Sequence, residues 1–196
     1  MDSRFKIIES SSNALNLQID ISTKYRIGAI SDGFPHYVHL ICERLFWEVF
    51  DDPQIQDSVR PEHFVKAIKS AVQSVEPTLR AAYDKATKKY NEVYEEILWA
   101  VTDDHQLQRR SADIYQSYLR IMEDRGKRLP TKDKFNARMN NLKKPAHGNV
   151  LVGTRAGWYR FRENILRGFV RLRAEEQGVV LDREHALLPS VLPVES

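Results

Sequence analysis

The chain has 196 residues, a single cysteine (Cys42), and no apolar run near the ~20 residues that cross a bilayer, which excludes an internal disulfide framework and a membrane-spanning helix. The formal net charge is only +3, but it is unevenly spread: residues 1–85 carry 10 basic and 12 acidic side chains, residues 86–178 carry 19 and 12, and residues 179–196 carry 1 and 3. Residues 126–173 hold 13 basic side chains against Asp133 and Glu163 alone, a net of +11, and such a basic stretch points to a polyanionic partner.

The first twenty residues are weakly patterned, and Ser10-Ser11-Ser12-Asn13 reads as a loop or helix-cap cluster. Ser22 is placed to cap a short helix ending near Ile30. The turn Ser31-Asp32-Gly33-Phe34-Pro35 then starts the next helix, proline being favoured in a first helical turn because its missing N–H would be unpaired there. From Pro35, Val38, Ile41, Cys42, Leu45, Phe46 and Val49 recur at three- and four-residue steps, until Asp51-Asp52-Pro53 ends the pattern. A further helix is expected from Pro61 to Val75, with Phe64, Val65, Ile68 and Val72 on one face. Pro77 opens another through Leu79 and Tyr83. Residues 20–85 therefore read as all-helical, with no sheet.

The pattern changes beyond Lys88. A helix is expected from Tyr90 to Val101 with Val93, Ile97 and Val101 buried, followed by a polar loop over Thr102 to Arg110. Ser111 caps a second helix burying Ile114, Tyr115, Tyr118, Leu119 and Met122, and Gly126 stops it. Thr131 caps a third, whose apolar residues Phe135, Met139 and Leu142 share one face. Two short strands follow Gly148, over Asn149–Val152 and Trp158–Arg162, joined by a glycine-bearing connection, the signature of a hairpin. A last helix over Asn164–Gln177 buries Ile165, Phe169 and Leu172, with Arg167 and Arg171 expected at the edge of its apolar face.

The fold expected is thus mainly α: a small helical bundle over residues 1–85, then a winged helix-turn-helix domain with a β-hairpin wing over residues 86–178. Two separable units are expected, with a boundary between Val75 and Tyr90. Residues 179–196, with Pro189 and Pro193, read as a loosely ordered tail.

If Phe135, Met139 and Leu142 face inward, Lys132, Lys134, Asn136, Arg138 and Asn140 lie on or near the outer face of the third helix. Helix-turn-helix proteins lay such a helix in the major groove, where arginine and lysine read guanine, asparagine reads adenine, and other side chains hold phosphates. Arg155 at the wing tip and Arg160 on the second wing strand complete the expected DNA-binding set, and Arg162 lies beside it. His36, His39 and Cys42 sit three residues apart on one helix, but Cys42 belongs to the apolar stripe, so a packed histidine pair is expected rather than a metal site. No nucleophile-elbow context and no Gly-x-x-x-x-Gly-Lys-Ser/Thr phosphate loop is present. No catalytic residue, cofactor or metal is therefore assigned.

Ser31-Asp32-Gly33-Phe34-Pro35-His36-Tyr37-Val38-His39-Leu40 resembles the start of the lid helix in AAA+ ATPases of the initiator-like and STAND-like type. Tyr159-Arg160-Phe161-Arg162 before an amphipathic helix resembles the wing end of their C-terminal domains. The resemblance covers residues 20–177. It implies a helical lid followed by a winged helix that engages DNA, both attached to an ATPase core in an intact parent. That core and its Walker motifs lie outside this sequence, so the chain resembles the C-terminal part of a larger ATPase. Where many members carry a phosphate-sensing arginine after the Gly-x-Pro turn, this chain has His36.

The expected function is an accessory one: duplex DNA binding by a non-enzymatic module. Two alternatives stay open, a protein-interaction module that docks a subunit or effector, and a free-standing transcriptional regulator, which would require a dimer. Met1-Asp2-Ser3-Arg4-Phe5 has no signal-peptide pattern, so the expected compartment is the cytoplasm, with no membrane partner.

Overall fold

The computed structural model describes residues 3–54, 57–88 and 94–181. They are mainly helical, with one small antiparallel sheet. Helix α1 (Ser3–Ala14) buries Ile8, so Ser10–Asn13 are helical and not a loop. The three serines are accommodated because two hydroxyls turn back on the helix: Ser11 Oγ donates to the Ile7 carbonyl at 2.8 Å and Ser12 Oγ to that of Glu9 at 3.2 Å. Helix α2 (Ile21–Ile30) is capped by Asp20 rather than Ser22. The Asp20 carboxylate takes the Thr23 N–H at 3.0 Å and the Thr23 hydroxyl at 2.6 Å.

The chain then turns through Asp32 and Gly33, both at positive φ (50° and 82°), and Pro35 opens α3 (Pro35–Phe50). Helix α3 is the axis of the N-terminal half: Tyr37, Val38, Ile41, Cys42 and Leu45 are all buried, against α1, α2 and α4 (Pro61–Ser74). On α4 the buried stripe is Phe64, Ala67, Ile68, Ala71 and Val72. Val65, expected on that face, is half exposed, one position round the helix from Phe64. Helix α5 (Pro77–Thr87) follows and buries Tyr83 and Ala86.

Helix α6 (Glu95–Val101) lies at the centre of the second half, and everything from Glu96 to Val101 is buried. The start expected at Tyr90, with Val93, falls outside the described residues. The segment read as a polar loop contains a strand, β1 (Gln108–Arg110). Helix α7 (Ser111–Asp124) has Ser111 as its first residue and not as its cap, and it buries Ile121 where Leu119 was expected. Helix α8 (Lys132–Asn141) is capped by Thr131 and buries Phe135 and Met139, with Leu142 buried just beyond it. A short turn of 3-10 helix at Pro145–His147 precedes Gly148. This glycine has φ of 73°, and a Cβ there would stand 2.9 Å from the Ala82 carbonyl, so it lets the backbone lie against α5. Strands β2 (Leu151–Arg155) and β3 (Trp158–Phe161) form the hairpin; β2 lies two to three residues beyond expectation, and β3 starts at Trp158 as expected but ends one residue earlier. The sheet order is β1-β3-β2, all antiparallel.

Helix α9 (Leu166–Glu176) closes the molecule and packs on α2, α4, α5 and α6. The buried residues from Ile8 to Val179 make one connected apolar core. A boundary between Val75 and Tyr90 thus divides the charge of the sequence but not its core, because α9 fills both halves. Arg167 and Arg171 are not at the edge of an apolar face. They are 0% and 3% exposed and converge on the Asp32 carboxylate. Gly168 between them lies under Tyr37, where a Cβ would come within 2.2 Å of the ring. Among the described residues no helix is long and apolar enough to cross a membrane.

Candidate nucleic-acid interface

The site begins with how α8 is seated. Phe135 packs against the rings of Tyr115 and Tyr118 on α7, at centroid distances of 5.0 and 5.5 Å. With Phe135 and Met139 held inward, the 3.6-residue period turns Lys132, Lys134 and Asn140 out to solvent, while Asn136 and Arg138 are half-buried. Arg138 donates from its guanidinium to the Tyr118 hydroxyl at 3.1 Å, so the end of its side chain is tied to α7. Just past α8, Lys144 donates to Asn141 Oδ1 at 2.9 Å, and the Lys143 ammonium stands 5.4 Å over the Tyr159 ring on β3. The end of α8 and the hairpin are therefore contiguous.

The sheet has two unlike faces. One turns Phe161, Leu151 and Arg109 inward, and Arg109 spends its donors on the Ala100 carbonyl at 2.5 Å and the Ser117 hydroxyl at 3.1 Å. Burial lowers the Arg109 pKa from its ordinary value, against the opposing pull of Asp103, Asp104 and Asp113. The other face carries Arg110 of β1, Trp158 and Arg160 of β3 and Arg155 of β2. The register pairs Arg110 with Trp158 and Trp158 with Arg155, so these three form one rung across the sheet. The Arg155 guanidinium lies 4.0 Å and that of Arg110 5.1 Å from the Trp158 ring centroid. Arg160 donates to the Phe161 carbonyl at 3.3 Å, and Arg162 is tied to Asn149 by two bonds, at 3.0 and 2.9 Å.

The end of α8 meets the hairpin through Tyr159, on the sheet face opposite to the one that carries Arg110, Trp158, Arg155 and Arg160, and the +11 read from the sequence overstates the field of either. Lys127 pairs with Glu96, Arg173 with Glu95 and Glu176, and Arg167 and Arg171 with Asp32. By contrast, Lys132, Lys134, Lys143, Lys144, Arg110, Arg155, Arg160 and Arg162 form no ion pair with any described carboxylate. Arg110 and Trp158 are the residues missed by sequence reasoning. A three-residue polar strand has no periodicity to betray it, and only its pairing with β3 brings Arg110 beside the hairpin.

The histidines on α3 behave differently from expectation. His36 and His39 are exposed, not packed as a pair, and Cys42 is buried, its thiol pushed up to about 12 by burial. Among the described residues no group of three or more His, Cys, Asp or Glu side chains is arranged to hold a metal ion. Comparison with protein-family models, with curated proteins and with solved structures gave no match.

Proposed function

We propose that residues 94–178 are a winged helix-turn-helix unit that binds duplex DNA, with α8 in the major groove and the β2–β3 hairpin as the wing. The observation that carries this reading is that Lys132 and Lys134 of α8, Lys143 and Lys144 of the turn after it, and Arg155 and Arg160 of the adjoining hairpin pair with no described carboxylate, whereas Lys127, Arg167, Arg171 and Arg173 do. The element order α6-β1-α7-α8-β2-β3 and the sheet order β1-β3-β2 support it, because they bring the end of a solvent-facing helix beside a hairpin. Lys132, Lys134, Asn136, Arg138 and Asn140 face the groove, and Arg155 and Arg160 face backbone. By resemblance to lid-plus-winged-helix regions, the helices before Lys88 link this unit to an ATPase core supplied by an intact parent. The chain itself, which has no phosphate-cradling loop, binds no ATP: micromolar affinity in calorimetry would contradict this.

The test is fluorescence anisotropy with labelled duplexes across a salt series. If about six phosphates are neutralised, log affinity falls with log salt at a slope of roughly −5. Failure to bind any duplex at low salt overturns the reading. The alternative, docking of a protein partner without DNA, is favoured by one specific observation. Trp47 and Phe50 at the end of α3 are 53% and 77% exposed and pack edge to face on each other, beside a groove lined by Leu15, Leu17 and Phe46.

A further inference from the structure

We propose that the Arg110–Trp158–Arg155 rung is a second contact surface for nucleic acid, a clip for the sugar-phosphate backbone separate from α8. It rests on the DNA-binding reading above and extends it to a strand, β1, that precedes α7 and α8 in the chain.

The rung is built from three facts. First, the register makes Arg110 and Arg155 the two neighbours of Trp158 on the same outward face. Second, both guanidiniums lie within cation–π distance of one indole, at 5.1 and 4.0 Å. Third, neither pairs with a described carboxylate, and Arg160 stands on the next rung with Gln108 and Val152 beside it. A guanidinium laid on an aromatic ring has one face covered and its rotamers restricted, while its in-plane N–H edge stays open. That edge matches phosphate oxygens in a bidentate fork. An arginine held this way loses less freedom on binding than a solvated one. Trp158 is thus a positioning residue, and the two arginines are the contacts.

The surface is fitted to a polyanion with regularly spaced oxygens and not to an apolar partner. Its only large ring is occupied by cations, and the face around it is basic. It carries no base-reading geometry of its own, so the clip adds affinity without sequence preference.

The experiment measures duplex affinity by anisotropy across a salt series for the wild-type chain and for Arg110→Ala, Trp158→Leu and Trp158→Phe, with thermal melts to check folding. Arg110→Ala weakens all duplexes equally and makes the salt slope shallower by about 1. Trp158→Leu, which removes no charge, weakens binding roughly two- to fivefold at unchanged slope, the fold-change of an exposed cation–π contact. Trp158→Phe restores most of that loss, because it keeps a ring under the guanidiniums. Wild-type binding with unchanged affinity in both Arg110→Ala and Trp158→Leu overturns the clip and leaves the α8 reading standing. Absence of wild-type binding to any duplex overturns both.

Discussion

Arg167 donates to both oxygens of the Asp32 carboxylate, Nε to Oδ2 at 2.5 Å and Nη2 to Oδ1 at 3.2 Å, across 135 residues of sequence and with none of its own surface exposed. Arg171 reaches the same carboxylate at 3.2 Å. One acid thus meets two arginines in the interior, and the excess charge is spread over backbone carbonyls. Arg167 also donates to Gln106 and Asp104, and Arg171 to Ala29, Thr102 and Asp104. The cluster ties the turn before α3, the end of α6, the approach to β1 and helix α9 into one unit. Removing one member of a buried charge set leaves the others uncompensated, at a cost of about 3–5 kcal/mol. Asp32→Asn and Arg167→Met are each expected to lower the melting temperature by roughly 10 °C or more. A melt within 2 °C or so of wild type for both would show the cluster to be energetically idle.

Gly168 and Tyr37 supply a second test of the same interface. The Tyr37 hydroxyl donates to the Ile165 carbonyl at 2.9 Å, which pins the ring where a residue-168 Cβ would stand. Alanine normally improves a helix interior by up to ~1 kcal/mol over glycine. Here Gly168→Ala is expected to destabilise by about 1–3 kcal/mol instead, because the ring must leave its hydrogen bond. Adding Tyr37→Leu should relieve the clash, so the double variant should lose less than the sum of the two single losses. Strict additivity in urea denaturation would argue against direct contact.

The cores of α3, α4 and α8 were legible because their apolar residues repeat at helical spacing and their ends carry proline, threonine or paired aspartates. The same periodicity made Lys132, Lys134 and Asn140 readable as exposed. What was not legible was non-local. Strand β1 is three polar residues that become a strand only by pairing with β3, and Arg110 comes beside Trp158 only through that pairing. Arg167 and Arg171 were misplaced because arginine is seldom buried unless paired, and their partner lies far back in the chain. The packing of α9 was not legible for the same reason: charge composition changes near residue 85, while α9 packs on helices from both sides of that change.

The shared core leads to a prediction about fragments. Residues 1–88 alone would expose the faces of α2, α4 and α5 that α9 covers, and would strip Asp32 of both its arginines. Residues 89–196 alone would leave Arg167 and Arg171 without Asp32. Each fragment is expected to show non-cooperative melting and dye binding typical of loose packing, and mixing them should restore part of the cooperative transition. Two cooperative melts from isolated fragments would restore the two-unit view.

A further prediction concerns acid. His63, 1% exposed, accepts the Arg60 backbone N–H on Nδ1 at 3.2 Å, which leaves Nε2 to donate to Asp52 at 2.9 Å. This bond first, and then the Gln54 N–H and the Arg60 guanidinium, hold the Asp52 carboxyl down at about 2. In the unfolded chain it titrates near its ordinary ~3.9. The unfolded state therefore takes up the proton first. The stabilisation is fully present above pH ~4 and is lost as pH falls towards 2. Asp52→Asn should be less stable than wild type at neutral pH, with the gap narrowing through that window in urea titrations. A gap independent of pH would mean that Asp52 acts through packing alone.

Lys134 and Arg138, both expected to face the major groove, should separate on stability. Lys134 is exposed, its side chain pairs with no described carboxylate, and its backbone N–H is capped by the Thr131 hydroxyl at 3.4 Å. Reversal to glutamate leaves the fold intact and places two acids, with Asp133, on the first turn, where the helix dipole tolerates them. Its cost should therefore fall almost wholly on DNA affinity. Arg138 is half-buried and bonded to the Tyr118 hydroxyl, whose ring is in turn packed on Phe135. Reversal there should reduce affinity and also lower the melting temperature, because a carboxylate near the Tyr118 hydroxyl replaces a donor under α8. The clean comparison is Arg138→Lys, which retains charge but loses the planar fork: it should keep the salt slope while relaxing discrimination between duplexes. Anisotropy against two duplexes of different sequence, with melts of each variant, reads all of these outcomes. If Lys134→Glu binds every duplex as wild type does, α8 is not the helix in the groove.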